Sequence, residues 1–91
     1  MAFELDTKAL RYFTAVASHR SYTLAAASLR ITQPAVTRQI QAIERAFGVR
    51  LFRREGRHVV ASEAGQVLFE QAREILERID AAGSLVKLAA N

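Results

Sequence analysis

Apolar residues at positions 68, 72, 75, 79, 82 and 86 follow one another at steps of four, three, four, three and four. That spacing puts them on one stripe of a single long helix. Ser62 supplies an N-cap, and Glu63 places a carboxylate in the first turn, at the positive end of the helix dipole. The pattern predicts a helix from Ser62 to about Leu88, on the order of 40 Å long at about 1.5 Å per residue. A chain of 91 residues has too little remaining mass to cover such a helix. Leu68, Ala72, Ile75, Ile79, Ala82 and Val86 are therefore expected to form a seam against a second copy, while Phe69 and Leu76 widen the apolar face towards the chain's own core. The competing expectation is a helix that packs only within its own chain. Gly83 is expected to weaken the last turns.

Upstream, Asp6 reads as the N-cap of a helix over 7–19, with Leu10, Phe13, Val16 and Ala17 at helical spacing until His19-Arg20-Ser21 interrupts it. Thr23 is the expected cap of a short second helix over 24–29, whose run of small residues lets another helix approach closely. Arg30 and Ile31 turn the chain straight into a third helix. Thr32 can accept from the orphan amides of its first turn, Pro34 sits where a missing N–H costs nothing, and Ile31 can staple onto Val36. Val36, Ile40, Ile43 and Phe47 form its predicted buried stripe, and Gly48 its left-handed stop. Two helices joined by about three residues make a helix-turn-helix.

The other positions of the third helix carry an unusual set: Gln33, Ala35, Thr37, Arg38, Gln39 and Gln41. A merely solvated helix would mix Lys and Glu there. Gln and Arg are the side chains that make bidentate contacts to adenine and guanine edges in the major groove, so this face reads as a base-reading surface. Beyond Gly48, Leu51 to Arg54 and Val59 to Ala61 read as two very short strands around the basic turn Glu55-Gly56-Arg57-His58. This β-wing is expected to rest on the helices through Leu51, Phe52 and Val59 or Val60. Arg57, with Arg53 or Arg54, is placed to reach a minor groove or flanking phosphates; the alternative is a solvated basic turn.

Charge divides the same way. Residues 1–60 hold ten Lys and Arg against four Asp and Glu, and residues 61–91 hold three against five, which together give the net +4. Seven arginines fall between positions 30 and 57 with only Glu44 and Glu55 to offset them, the footprint of a surface that neutralises phosphates. Cysteine is absent and the histidines are two, His19 and His58, so disulfide frameworks and Cys-based zinc modules are excluded and no cofactor is expected. Neither histidine has a partner set that suggests catalysis, and there is no glycine-rich phosphate loop, so the chain is not expected to be an enzyme. The apolar runs are short of a membrane span and no signal peptide is visible, which points to a cytoplasmic chain without membrane contact.

The stretches Leu10-Arg-Tyr-Phe13, Ser21-Tyr-Thr-Leu-Ala-Ala26, Thr32-Gln-Pro-Ala-Val-Thr-Arg-Gln-Ile40, Phe47-Gly-Val-Arg-Leu-Phe52 and Ser62-Glu-Ala-Gly65, with Leu29, Glu44 and Arg54, closely resemble the N-terminal DNA-binding domain of LysR-type transcriptional regulators over essentially the whole chain. The resemblance implies a mostly α winged helix-turn-helix, with a short two-stranded β-wing and a long C-terminal linker helix that pairs antiparallel with a second copy. It places Gln33, Pro34, Thr37 and Arg38 at base- and backbone-contacting positions and Arg57 at the wing position that enters the minor groove. It also implies a tetramer in a full-length protein and a small-molecule effector held by a C-terminal domain that this sequence does not include. Arg53, Ala27 and Ala61-Ser62 depart from the family pattern; Arg53 adds charge at the wing and Ala61 weakens its apolar anchor.

Two functional expectations follow. In the first, residues 1–61 are a winged helix-turn-helix that binds double-stranded DNA, and residues 62–91 are a linker and dimerisation helix. The homodimer reads a dyad operator through Thr32, Gln33, Pro34, Ala35, Thr37, Arg38, Gln39, Arg53, Arg54 and Arg57. In the second, the chain is a helical dimerisation adaptor whose basic face binds acidic protein or RNA. The exclusion of Lys and Glu from the third helix's exposed face favours the first.

Overall fold

The computed structural model describes residues 3–90, which form α1 (Thr7–His19), α2 (Tyr22–Leu29), α3 (Gln33–Phe47), β1 (Phe52–Glu55), β2 (His58–Ala61) and α4 (Glu63–Ala89). Each helix starts on a side-chain cap. Asp6 accepts the amide of Ala9 at 2.9 Å, Thr32 that of Ala35 at 3.3 Å, and Ser62 that of Gly65 at 3.0 Å. The cap of α2 differs from the expected Thr23: Ser21, in an extended conformation, accepts the amide of Leu24 at 3.0 Å. Arg20 turns left-handed immediately after α1, so the next helix can begin at once, and Thr23 lies inside its first turn. Starting there also brings the Tyr22 ring edge-on to Phe52, with centroids 6.1 Å apart.

Phe13 and Val16 of α1, Ala25 of α2, and Val36, Ile40 and Ile43 of α3 are wholly buried together. Leu51, Phe52 and Val59 close the core from the wing side, with the Phe52 ring 5.2 Å from that of Phe13. Val59 rather than Val60 is the buried wing anchor. Phe47 departs from the predicted stripe. It is 56% exposed, because the last turn of α3 runs past the core, and it meets the Phe3 ring edge-on at 6.4 Å.

The strands pair antiparallel from Phe52 opposite Ala61 to Glu55 opposite His58, leaving the two-residue turn Gly56-Arg57. Gly56 takes the positive φ, 61°, that such a tight turn demands. Backbone bonds fasten this hairpin on two sides: the Val59 amide donates to the Arg20 carbonyl at 3.1 Å, and the Ser62 amide to that of Leu51 at 2.8 Å. Glu44, near the end of α3, accepts the Leu51 amide at 2.8 Å. The wing is thus held in a set position relative to α3.

The first turns of α4 pack on the core through Ala64, Leu68 and Phe69. Ala72, expected on the seam towards a second copy, is completely buried within its own chain, because α4 crosses α1 at that level. Beyond it α4 stays beside α1, with Leu76 half-buried, as far as Asp80, which Arg11 of α1 reaches at 3.6 Å, and the described residues after Asp80 are all exposed. The helix runs without a break through Gly83 to Ala89, so the expected weakening at Gly83 does not interrupt it. The result is an elongated molecule, 50 × 29 × 24 Å.

Candidate nucleic-acid interface

Burying Val36, Ile40 and Ile43 turns the opposite side of α3 outwards. Thr32, Gln33, Pro34, Arg38 and Gln41 are exposed there, and Ala35, Thr37 and Gln39 are half-buried on its flanks. The Gln33 amide nitrogen donates to Thr37 Oγ1 at 3.0 Å, and that hydroxyl donates to the Gln33 carbonyl at 3.1 Å. Since a glutamine amide carries two N–H donors and a carbonyl acceptor, Gln33 keeps one donor and one acceptor for an outside partner while its rotamer is already restrained.

Arg53, Arg54 and Arg57 are all exposed on the wing, but they are not equivalent. Arg53 turns to Glu55, with the charged groups 3.4 Å apart, which offsets part of its charge. Arg54 and Arg57 instead line a cleft of about 210 Å³ together with Gln33 of α3 and with Arg20, Ser21 and Thr23 of the α1–α2 corner. The Val59-to-Arg20 backbone bond holds the two walls together. Among the described residues no carboxylate lines this cleft. Three arginines and a hydroxyl-capped helix start therefore border one small space that suits an oxyanion.

Tyr22, which also lines the cleft, has its phenol pushed above the usual tyrosine range, first by burial and then by the nearby Glu44 carboxylate; Arg50 and Arg54 pull the other way. It therefore stays a neutral hydroxyl, available as donor and acceptor. The cleft unites Gln33, Arg54 and Arg57 from the predicted set; Arg38 and Gln39 lie farther along α3, and Arg53 is directed elsewhere. Arg20, Ser21 and Thr23 join them as cleft residues that the sequence does not mark. The charge of Arg20 is visible there, but nothing local indicates that the wing folds back against it.

The apolar stripe of α4 is a separate surface. Leu68 is half-buried, while Ile75 and Ile79 are each 42% exposed and Val86 is 68% exposed, with Ala82 open beside them. Single exposed apolar residues are ordinary, but a continuous row along a projecting helix is not. Among the described residues there is no group of three or more His, Asp or Glu side chains that could hold a metal ion. Among them, too, no helix is long and apolar enough to cross a membrane.

The family model for bacterial regulatory helix-turn-helix proteins of the lysR family matches residues 7–66. The chain is 45% identical over 76 residues to a probable cat1 operon transcriptional activator of Acinetobacter lwoffii, covering 84% of this chain and 25% of that protein. It is 47% identical over 71 residues to a RuBisCO operon transcriptional regulator of Allochromatium vinosum, covering 78% of this chain and 24% of that protein. The chain thus spans about a quarter of the length of these two relatives. Among solved structures, it superposes on the BenM_DBD/catB site 1 DNA complex with a TM-score of 0.91 at 36% identity, covering 96% of this chain and 97% of that one. A CbnR_DBD–DNA complex gives 0.86 at 38% identity, covering 96% and 100%.

Proposed function

Because the chain belongs to the lysR family of bacterial regulatory helix-turn-helix proteins, we propose that it is the sequence-specific DNA-binding part of a transcriptional regulator, acting on a dyad operator as a homodimer. The observation that carries this reading is the cleft joining Gln33, at the start of α3, to Arg54 and Arg57 of the wing. A helix face of amides, hydroxyls and one arginine is contiguous there with a basic wing, so α3 can enter a major groove while the wing follows the backbone into the adjoining minor groove. Gln33 and Arg38 take base edges in this reading; Thr32, Pro34, Ala35, Thr37 and Gln39 line the groove walls, and Arg53, Arg54 and Arg57 take phosphates and the minor groove.

Residues 1–61 then form the DNA-binding domain and residues 62–91 the helix that pairs two copies, through the exposed part of the stripe, Ile75, Ile79, Ala82 and Val86. Leu68 and Ala72 mark the level at which α4 leaves its own core. In a longer protein, a small-molecule effector would act through a further domain, and two dimers would assemble into a tetramer. The experiment is a gel shift with a duplex carrying an inverted repeat, competed by unrelated duplex over a range of salt. Preferential retention of the dyad duplex supports the proposal. Equal competition at every salt concentration removes sequence specificity and returns the chain to a general polyanion binder.

A further inference from the structure

Arg20 and Arg30 are the non-glycine residues with positive φ among the described residues, at 54° and 59°. Each follows a helix, Arg20 after α1 and Arg30 between the two helices of the helix-turn-helix, in the left-handed position where glycine fits without a steric penalty. At Arg20 the fold uses only the backbone. Its amide donates to the Val16 carbonyl at 2.8 Å, and its carbonyl accepts the Val59 amide at 3.1 Å. Glycine would keep both bonds and relieve the crowding at Cβ. The side chain is exposed and takes part in none of the ion pairs among the described residues. The stability of the corner therefore gives no reason for arginine at this position.

The cleft does give one. Arg20 lines it opposite Arg54 and Arg57, beside Gln33, with no carboxylate among the described lining residues. Arginine offers only donors, in a fork that matches the acceptor oxygens of a phosphodiester, and three arginines bordering one cleft can share a single anion. We propose that Arg20 is a phosphate-gripping residue of the DNA interface, closing on one backbone phosphodiester from the α1–α2 corner while Arg54 and Arg57 close on it from the wing. This rests on the DNA-binding reading above and adds to it a contact made by neither the recognition helix nor the wing. The strained corner is kept because the guanidinium it carries spans the step between the two groove-reading elements.

The test is Arg20→Gly, with Arg20→Lys beside it, measured on two labelled duplexes, one of random sequence and one carrying the inverted repeat, across a salt series. Thermal unfolding at a fixed protein concentration is followed in parallel. Arg20→Gly is expected to unfold a few degrees higher than the unmodified chain. It should weaken binding to both duplexes by the same factor and flatten the slope of log K against log salt by about 0.9, as expected when one fewer phosphate is neutralised. Arg20→Lys should keep the slope. Unchanged affinity and slope in a stabilised Arg20→Gly chain overturns the assignment. So does a weakening confined to one duplex, which would mean base reading, or a fall in the unfolding temperature, which would mean that the side chain serves the fold. A wild-type chain that binds neither duplex strikes the DNA-binding reading itself, a result separate from any behaviour of the variants.

Discussion

Gly65, in the first turn of α4, lies directly against the carbonyl oxygen of Leu51, so that a Cβ at position 65 would collide with it. The same oxygen accepts the Ser62 amide at 2.8 Å, while Ser62 Oγ donates to the Arg50 carbonyl at 2.6 Å. The long helix is thereby seated on the start of the wing with no room for a side chain between them. Because the obstacle is backbone tied down at both sides, Gly65→Ala is expected to cost about 3 kcal/mol, against about 1 kcal/mol returned by alanine's better helix propensity. Gly83 in the same helix has nothing within 4 Å of such a Cβ. Gly83→Ala should therefore stabilise by about 1 kcal/mol. Urea unfolding of the two variants checks the opposed signs; two shifts of the same sign would show that the contact with Leu51 does not control position 65.

Arg38→Ala and Gln33→Ala remove exposed side chains from α3, so stability should change by no more than about 0.5 kcal/mol. Their effect belongs in recognition: about 1–3 kcal/mol of discrimination at one base pair of each half-site. Binding to a panel of operator variants measures it. A uniform weakening across the panel would assign the residue to phosphates instead.

Tyr22 ties the same region to pH. Burial holds its phenol above the ordinary value of 10.0, so the native chain keeps that proton more tightly than the unfolded chain does. The associated stability is fully present below about pH 10 and is lost as pH rises through the native value. Tyr22→Phe cannot ionise. Its urea midpoint, compared with that of the unmodified chain, should hold a constant offset at lower pH and shift in the variant's favour above about pH 10. An offset independent of pH would mean that the phenol titrates alike in both states.

The parts of this fold legible in the sequence are those governed by local chemistry. Asp6, Thr32, Gly48 and Ser62 mark helix ends because a cap is a bond between near neighbours. The basic turn of the wing is legible for the same reason, but the four residues expected in it, Glu55 to His58, contract to Gly56-Arg57, because Glu55 and His58 pair as the last rung of the strands. Ser21 and Thr23 are both competent caps, and the choice between them falls to the packing of Tyr22 on Phe52. Periodicity marks a helix face but not what covers it: Phe47 and Ala72 both continue an apolar stripe, yet one is mostly exposed and the other completely buried. The polar face of α3 can be read directly, since its residue types state their own chemistry. The cleft cannot, because Arg20 and Arg57 meet only through a long-range backbone bond between β2 and the α1–α2 corner.

Assembly rests on the part of α4 beyond Ala72. Ile75 and Ile79 are each 42% exposed and Val86 is 68% exposed, on the side of α4 that its own chain leaves uncovered, so the expected state is a dimer formed by these faces. Ile75 and Ile79 changed together to Asp would place unpaired charge in that interface. Because both positions lie outside the buried core, the variant should keep its helicity and sediment as a monomer where the unmodified chain sediments as a dimer. Its affinity for a dyad duplex should fall far more than its affinity for a single half-site, since each protomer then supplies only its own phosphate and base contacts. Sedimentation of the unmodified chain at tens of micromolar decides the matter, and a clean monomer there would mean that the exposed stripe does not pair two copies.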